Sequence, residues 1–135
     1  RPPRSTLFPY TTLFRSIHNN HKRLDDEMFD KVECFVLETL PKKEAQSSYS
    51  RHVSWIDKKT FNLLKEISYN KKGELEKDKR FEYELIKSFF ILKRVLVNNN
   101  IKNHSTEIIF TDILVDMGTK SDLFHEKNLR RLPKE

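Results

Sequence analysis

The five histidines are the first side chains to consider, because imidazole is a common metal ligand and a common general base. His18 and His21 are three residues apart, a spacing that would place both on one face of a helix. Structural zinc normally needs four ligands, and no further ligand follows these two at a matching spacing. His52, His104 and His125 are isolated in the sequence, so we expect them at the surface or at a strand edge. The sequence therefore predicts no metal site.

Motifs for covalent or nucleotide chemistry are missing as well. The chain has no Gly-x-Ser-x-Gly sequence and no phosphate-binding glycine loop, and Gly73 and Gly118 are its only glycines. Its one cysteine, Cys34, lies in an apolar block, and we expect it to be buried and inert. Acidic residues are scattered among lysines, as on a solvated strand face, and no carboxylate pair stands out. The sequence predicts no catalytic residue, no cofactor and no enzymatic activity.

The remaining candidates for a function are the large apolar side chains on strand-like segments. Such side chains could bind an apolar ligand non-covalently. In β-architectures with a ligand-holding interior, such side chains line the hydrophobic cavity. Most apolar strand residues are simply buried in a core. Two interpretations therefore stay open, an ordinary core and a ligand-binding face. The residues concerned are Val53, Trp55, Leu64, Phe90, Leu92, Val95, Val97, Ile108 and Phe110.

Period-two alternation and regularly spaced turn sequences place these residues in an antiparallel meander. Turns are predicted at 57–60 and at 70–73, where Asn and Gly suit positive φ angles. Residues 17–31 are polar and irregular, which predicts a loop or a frayed helix, and Ser121 is predicted to cap a short helical turn. The predicted strands are 32–40, 49–56, 63–69, 74–84, 89–97 and 106–115.

The first sixteen residues resemble the conceptual translation of a sequencing adapter, unbroken through residues 1–16. We expect this segment to be artefactual and residues 17–135 to form one truncated domain. Removing Arg1, Arg4 and Arg15 from the 26 basic residues leaves 23 against 20 acidic ones, so the formal net charge falls from +6 to +3. Such a mixed surface lacks the basic stripe that phosphate-backbone binding needs, and nucleic acid is not a predicted partner.

Several short segments match a known family pattern in order and spacing. One departure is that Ser88 stands where the family usually has a turn glycine, while Phe90 keeps an aromatic ring at a position where tryptophan is typical. Through these segments the chain resembles, from Val32 to Arg131, the C-terminal part of bacterial outer-membrane lipoprotein-sorting proteins of the LolA-like superfamily. The matching segments are 34–38 before 41–42, 53–57, 64–65 leading to 69–70 and 73–74, 105–106, 110–113, 122–124 and 129–131.

The resemblance implies a mainly β (α+β) fold, namely a curved antiparallel half-barrel closed by helices, with its N-terminal part missing here. It implies a periplasmic carrier in outer-membrane lipoprotein sorting, which holds the acyl chains of lipids or lipoproteins on a concave hydrophobic sheet face. A membrane transporter would be a further partner. The alternative function is a periplasmic sensor or interaction module that uses the same half-barrel to bind a partner protein.

Deleting residues 1–16 tests the artefact interpretation. We expect unchanged stability, because apolar residues such as Phe8 and Phe14 were never selected to pack against this domain. Thermal unfolding of the chain with and without the segment is the measurement. A clearly lower midpoint in the shortened chain would contradict the interpretation.

Overall fold

A computed structural model describes residues 18–44 and 47–118. The regular structure in these ranges is one seven-stranded sheet in chain order with antiparallel neighbours, so the predicted meander is confirmed. None of the described segments forms a helix with the length and hydrophobicity that a membrane span requires. The strands are β1 Asn19–Phe29, β2 Val32–Pro41, β3 Tyr49–Asp57, β4 Leu63–Asn70, β5 Leu75–Ile86, β6 Phe89–Asn99 and β7 His104–Ile109.

Strand β1 shows that the prediction of a loop or frayed helix over residues 17–31 was wrong. Residues 19–29 pair with β2 and end in a two-residue turn. In this turn Asp30 and Lys31 have φ angles of 46° and 66°, the left-handed conformation that such a hairpin loop requires. The polar sequence of β1 has low strand propensity, but strand propensity depends strongly on the neighbouring strand, and β2 is apolar.

Strand β7 is shorter than predicted, because it covers 104–109 and not 106–115. The backbone N–H of Phe110 still donates to the Lys93 carbonyl at 2.9 Å. Soon after, Asp112 adopts a φ of 55°, which ends the extended conformation. The helical turn predicted at Ser121 lies outside the described residues.

The turns predicted at 57–60 and 70–73 are confirmed. Asp57 Oδ1 accepts a hydrogen bond from the Lys59 backbone N–H at 2.8 Å, and this bond is the main reason why the pKa of Asp57 is lowered. Asn70 Oδ1 likewise accepts from the Lys72 N–H at 2.9 Å. Gly73 has a φ of 81°, a conformation that glycine adopts without steric cost.

The turn between β5 and β6 is the place where the family pattern usually has a glycine. It consists of Lys87 and Ser88, since Ile86 pairs with Phe89. The positive φ, 56°, falls on Lys87. Ser88 therefore does not need the conformation that a glycine would supply.

The pairing register assigns every strand residue to one of two faces, because directly paired residues share a face and successive residues alternate. Trp55 pairs with Lys65, Lys65 with Arg80 and Arg80 with Leu96, so these four lie on one face, which we call the Trp55 face. Val97 follows Leu96 and lies on the opposite face, which we call the Val97 face.

The packed core lies on the Trp55 face, where Cys34, Val36 and Val53 are 0%, 1% and 7% exposed. The expected burial of Cys34 is confirmed, and burial is the main reason why the pKa of its thiol is raised. The sheet curls toward this face, since the Arg80 guanidinium lies 5.8 Å from the ring centroid of Phe29. In a flat sheet the four strand spacings between β1 and β5 would separate them by about 19 Å.

Val36→Ala tests this core. Losing two buried methyl groups should lower the free energy of unfolding by about 2 kcal/mol, because burial is lost and a cavity remains. Ile101→Ala is the control, since Ile101 lies in the β6–β7 turn and is 51% exposed. Its free energy of unfolding should change by less than about 0.5 kcal/mol. Equal losses in urea unfolding would contradict the placement of the core.

Candidate functional site

The nine apolar residues predicted to line a ligand-binding face are divided between both sides of the sheet. Val53 and Trp55 lie on the Trp55 face. Leu64 is the extra residue where Trp55 pairs with Lys65 and Ile56 pairs with Leu63, so it forms a bulge in β4. The other six lie together on the Val97 face by strand pairing and alternation, namely Phe90, Leu92, Val95, Val97, Ile108 and Phe110.

A β-bulge in β6 brings these six residues to one face. Glu82 pairs with Arg94 and the next residue, Tyr83, pairs with Leu92, so Lys93 is an extra residue in β6. Leu92 and Val95 are three positions apart and would lie on opposite faces in a regular strand. The extra residue reverses the alternation at this point. Leu92 and Val95 therefore belong to one continuous apolar row that runs from Phe90 to Val97.

Strand β5 adds a second apolar row that the sequence analysis did not include. Its residues pair directly with Val95, Leu92 and Phe90 across the ladder. The signal was present as alternation at positions 81, 83 and 85, but glutamates at 82 and 84 made the segment look like a solvated strand. We call the combined surface the apolar sector: Phe81, Tyr83, Leu85, Phe90, Leu92, Val95, Val97, Ile108 and Phe110.

The apolar sector is large and open to solvent. Leu85, Phe90, Ile108 and Phe110 are between 43% and 58% exposed. Along β6 the sector extends for roughly 20 Å at about 3.3 Å per residue. This exceeds the roughly 15 Å that one leaflet contributes to a hydrocarbon core of about 30 Å. Exposed apolar patches occur at interaction sites and ligand-binding grooves, so the sector is the candidate binding surface of the described residues.

A polar cluster on the Val97 face borders the sector on β3–β5. His52 Nδ1 lies 2.9 Å from the Ser68 hydroxyl and 3.9 Å from Glu66 Oε1, and Lys79 donates to Glu66 at 2.6 Å. A Ser-His-acid triad needs the hydroxyl and the carboxylate on different ring nitrogens. Here both approach the same nitrogen, and Ser68 is completely buried. The cluster therefore lacks the geometry of a serine nucleophile site.

His52 corrects the expectation of an isolated surface histidine, because it is half-buried and has several polar partners. Burial is the main cause that lowers its pKa below the usual 6.5. The Glu66 carboxylate opposes this shift, and Lys79 adds a further lowering. No local sequence pattern indicates this cluster, since His52, Glu66 and Lys79 are brought together only by the β3–β4–β5 register.

Val53 and Trp55 lie in different surroundings from the sector. Val53 belongs to the packed core. The Trp55 indole N–H donates to Glu27 at 2.8 Å, and Lys65 Nζ lies 4.9 Å from the centre of the Trp55 ring. Among the described residues, no group of three His, Cys, Asp or Glu side chains is arranged to hold a metal ion.

Comparison with known proteins places this sheet in a family. A family model described as an uncharacterized protein matches residues 14–131. A solved structure from Vibrio parahaemolyticus, described provisionally as an outer membrane lipoprotein-sorting protein domain, is similar with a TM-score of 0.70 and 29% identity over 83% of this chain. A DUF1329 family protein from Desulfovibrio piger has a TM-score of 0.71 and 27% identity over 84% of this chain.

A LolA superfamily protein from Nitrosomonas europaea is similar in fold, with a TM-score of 0.61 and 19% identity over 83% of this chain. The match covers 48%, 48% and 51% of the three solved chains, so this chain spans about half of their length. The search of curated proteins found no match. The open seven-stranded sheet is a curved, LolA-like half-barrel, as the sequence resemblance implied.

His52 should make stability depend on pH. Its folded-state pKa lies below the unfolded value of 6.5, so the unfolded chain binds more protons between the two values. Neutral His52 therefore contributes to the free energy of unfolding in full above the unfolded-state pKa, and this contribution is lost as the pH falls through the folded-state pKa. His52→Gln should therefore flatten the fall of the thermal midpoint from about pH 7 to about pH 5. His104→Gln, at an exposed site, should leave the slope unchanged, and equal slopes in all three proteins would refute this role.

Proposed function

The chain belongs to the family whose model matches residues 14–131, and we propose that it is a periplasmic, non-catalytic lipid-binding protein of the lipoprotein-sorting type. Its apolar sector holds an acyl chain of a lipid or lipoprotein. The sector lies on the Val97 face, and the sheet curls toward the Trp55 face, so the proposed surface is not the concave face that the resemblance implied. The observation that carries the proposal is the sector itself, in which eight side chains on β5, β6 and β7 and that of Phe110, directly after β7, form one partly exposed apolar surface. The similar Vibrio parahaemolyticus domain supports the class of ligand through its description.

An acyl chain suits this surface because its binding requires only that apolar area be removed from water. Each buried methylene contributes about 0.8 kcal/mol, so burying roughly ten of them corresponds to the binding free energy of a micromolar affinity. The sector has the length for such a chain and offers no unpaired charge along its β5 and β6 rows. The neighbouring charges on the Val97 face, Glu66 and Lys79, form an ion pair with each other.

The proposed mechanism is reversible burial without bond making or breaking. The polar cluster beside the sector does not present an accessible nucleophile. Ser68 is buried, and its hydroxyl and the Glu66 carboxylate both approach the same ring nitrogen of His52. We propose that the charged cluster ends the acyl-binding surface on the β3–β4 side. The acyl chain then lies along β6.

Two adjacent pairs of residues allow a sharp test of the binding face. Phe89 and Phe90 are 48% and 50% exposed, and Ile108 and Ile109 are 46% and 57% exposed, yet within each pair the side chains lie on opposite faces. Phe90→Glu and Ile108→Glu should each weaken uptake of a fluorescent fatty-acyl probe at least about tenfold, because a carboxylate would be buried against the chain. The matched controls Phe89→Glu and Ile109→Glu should retain uptake.

Thermal unfolding of the same four variants separates binding from folding. All four should unfold within a few degrees of the parent chain, because each changed residue is exposed. If both members of a pair lose uptake equally while remaining folded, the apolar sector is not the binding surface. If the parent chain takes up no probe, the acyl-binding proposal fails as a whole.

Mass spectrometry of the purified chain distinguishes the carrier from an interaction module. A carrier should release a lipid or lipoprotein fragment on denaturation, and Phe90→Glu should release less of it than Phe89→Glu. A partner-binding module with an empty sector would release none from either variant. That second outcome would favour the sensor alternative.

A further inference from the structure

Two cations lie side by side on the Trp55 face, away from the apolar sector. Lys65 of β4 and Arg80 of β5 are directly paired across the ladder, so their side chains leave the sheet next to each other on one face. Like charges directly opposite in an antiparallel pair are destabilising. A counter-charge close to both cations would remove this repulsion.

The contacts of the two cations are with aromatic rings. Lys65 Nζ lies 5.6 Å from the centre of the Phe29 ring and 4.9 Å from that of Trp55, and Arg80 lies 5.8 Å from that of Phe29. Both positive groups therefore converge around one ring. Such contacts orient the cations, but they leave the repulsion between the two charges in place.

Within residues 18–44 and 47–118, no carboxylate forms an ion pair with Lys65 or Arg80. Two other cations on the same face are paired: Arg51 bonds Glu38 at 3.2 Å, and Arg94 bonds Glu82 at 2.8 Å and also Glu107. Arg51 and Arg94 therefore differ from Lys65 and Arg80, which have no carboxylate within ion-pair distance among the described residues.

Two carboxylates do share this face nearby. Glu27 accepts the hydrogen bond of the Trp55 indole, which occupies one of its oxygens. Asp78 lies two residues from Arg80 and pairs with Ile67, and its Oδ1 is buried without a hydrogen-bond partner among the described residues. Neither carboxylate neutralises the pair by direct contact.

We propose that Lys65 and Arg80 form a binding site for an oxyanion, a phosphate or a carboxylate, beside Trp55 and Phe29. The anion would lie between the ammonium and the guanidinium and remove their mutual repulsion. Arg80 offers a planar donor fork that suits two oxygens, and Lys65 adds a mobile point charge. The site is on the opposite face from the apolar sector, so it is independent of the acyl-binding proposal.

Trp55 is the only tryptophan of the chain and therefore reports on this site by its fluorescence. Titrating the 135-residue chain with inorganic phosphate at constant ionic strength should give a saturable change, whereas chloride should give none. Lys65→Met and Arg80→Met should each weaken phosphate binding at least about tenfold, since each removes a charge-assisted contact. Arg51→Met is the matched control, because Arg51 also lies over an aromatic ring on this face but is already paired with Glu38.

The thermal midpoint gives a second readout that does not depend on Trp55 emission. Phosphate should raise the midpoint of the parent chain and of Arg51→Met, because a ligand that binds only the folded state stabilises it. It should leave Lys65→Met and Arg80→Met unchanged. If phosphate acts no differently from chloride, or if Arg51→Met loses the effect as the other two do, the site does not exist.

Vesicle binding separates a free anion from a lipid head group. If the oxyanion belongs to a lipid, vesicles of phosphatidylglycerol should bind the parent chain more tightly than vesicles of phosphatidylcholine, and Lys65→Met and Arg80→Met should remove the difference. If phosphate binds but the difference persists in both variants, the site takes a free anion. Either result supports an oxyanion site, and the phosphate titration decides whether it is there.

Discussion

The two-residue period of the β-strand is the constraint on which this molecule depends, because the sheet is a single open layer whose two faces have different chemistry. One extra residue, Lys93, reverses the alternation of β6 between Leu92 and Val95. It thereby gathers the apolar residues of both halves of β6 on the Val97 face. A strand without the bulge would divide those residues between the faces and leave no continuous apolar surface.

The Trp55 face is held together in another way. Its fully buried side chains are few and small, and around them lie cations stacked on aromatic rings and pairs such as Arg51–Glu38. Exposed interactions of these kinds contribute about 1 kcal/mol or less each. The bulge in β1, between Leu24 and Glu27, bends that strand so that Phe29 reaches β4 and β5. The curl toward this face therefore comes from backbone geometry together with many weak contacts.

Much of the fold could be predicted from the sequence. Alternation located β2 to β6 and the Asn70–Gly73 turn, because apolar periodicity and turn chemistry are local signals. Strand β1 could not be found this way, since its polar residues form a strand only through pairing with β2. The same limit applies to the site: alternation indicated which neighbours share a face within each segment, but the bulge at Lys93, which joins the segments, has no distinct sequence signal. His52, Glu66 and Lys79 come together only through register.

The chemistry of the apolar sector also limits what it can distinguish. Its one polar atom, the Tyr83 hydroxyl, is engaged by the Leu63 backbone, and burial is the main cause that raises its pKa. No free donor or acceptor within the nine side chains is thus directed at a ligand. Burial alone discriminates weakly, because one methylene more or less changes the binding free energy by only about 1–3 kcal/mol. Under the proposed function, such a surface would accept acyl chains of many structures, and selectivity for a particular lipid would come from polar groups outside the sector.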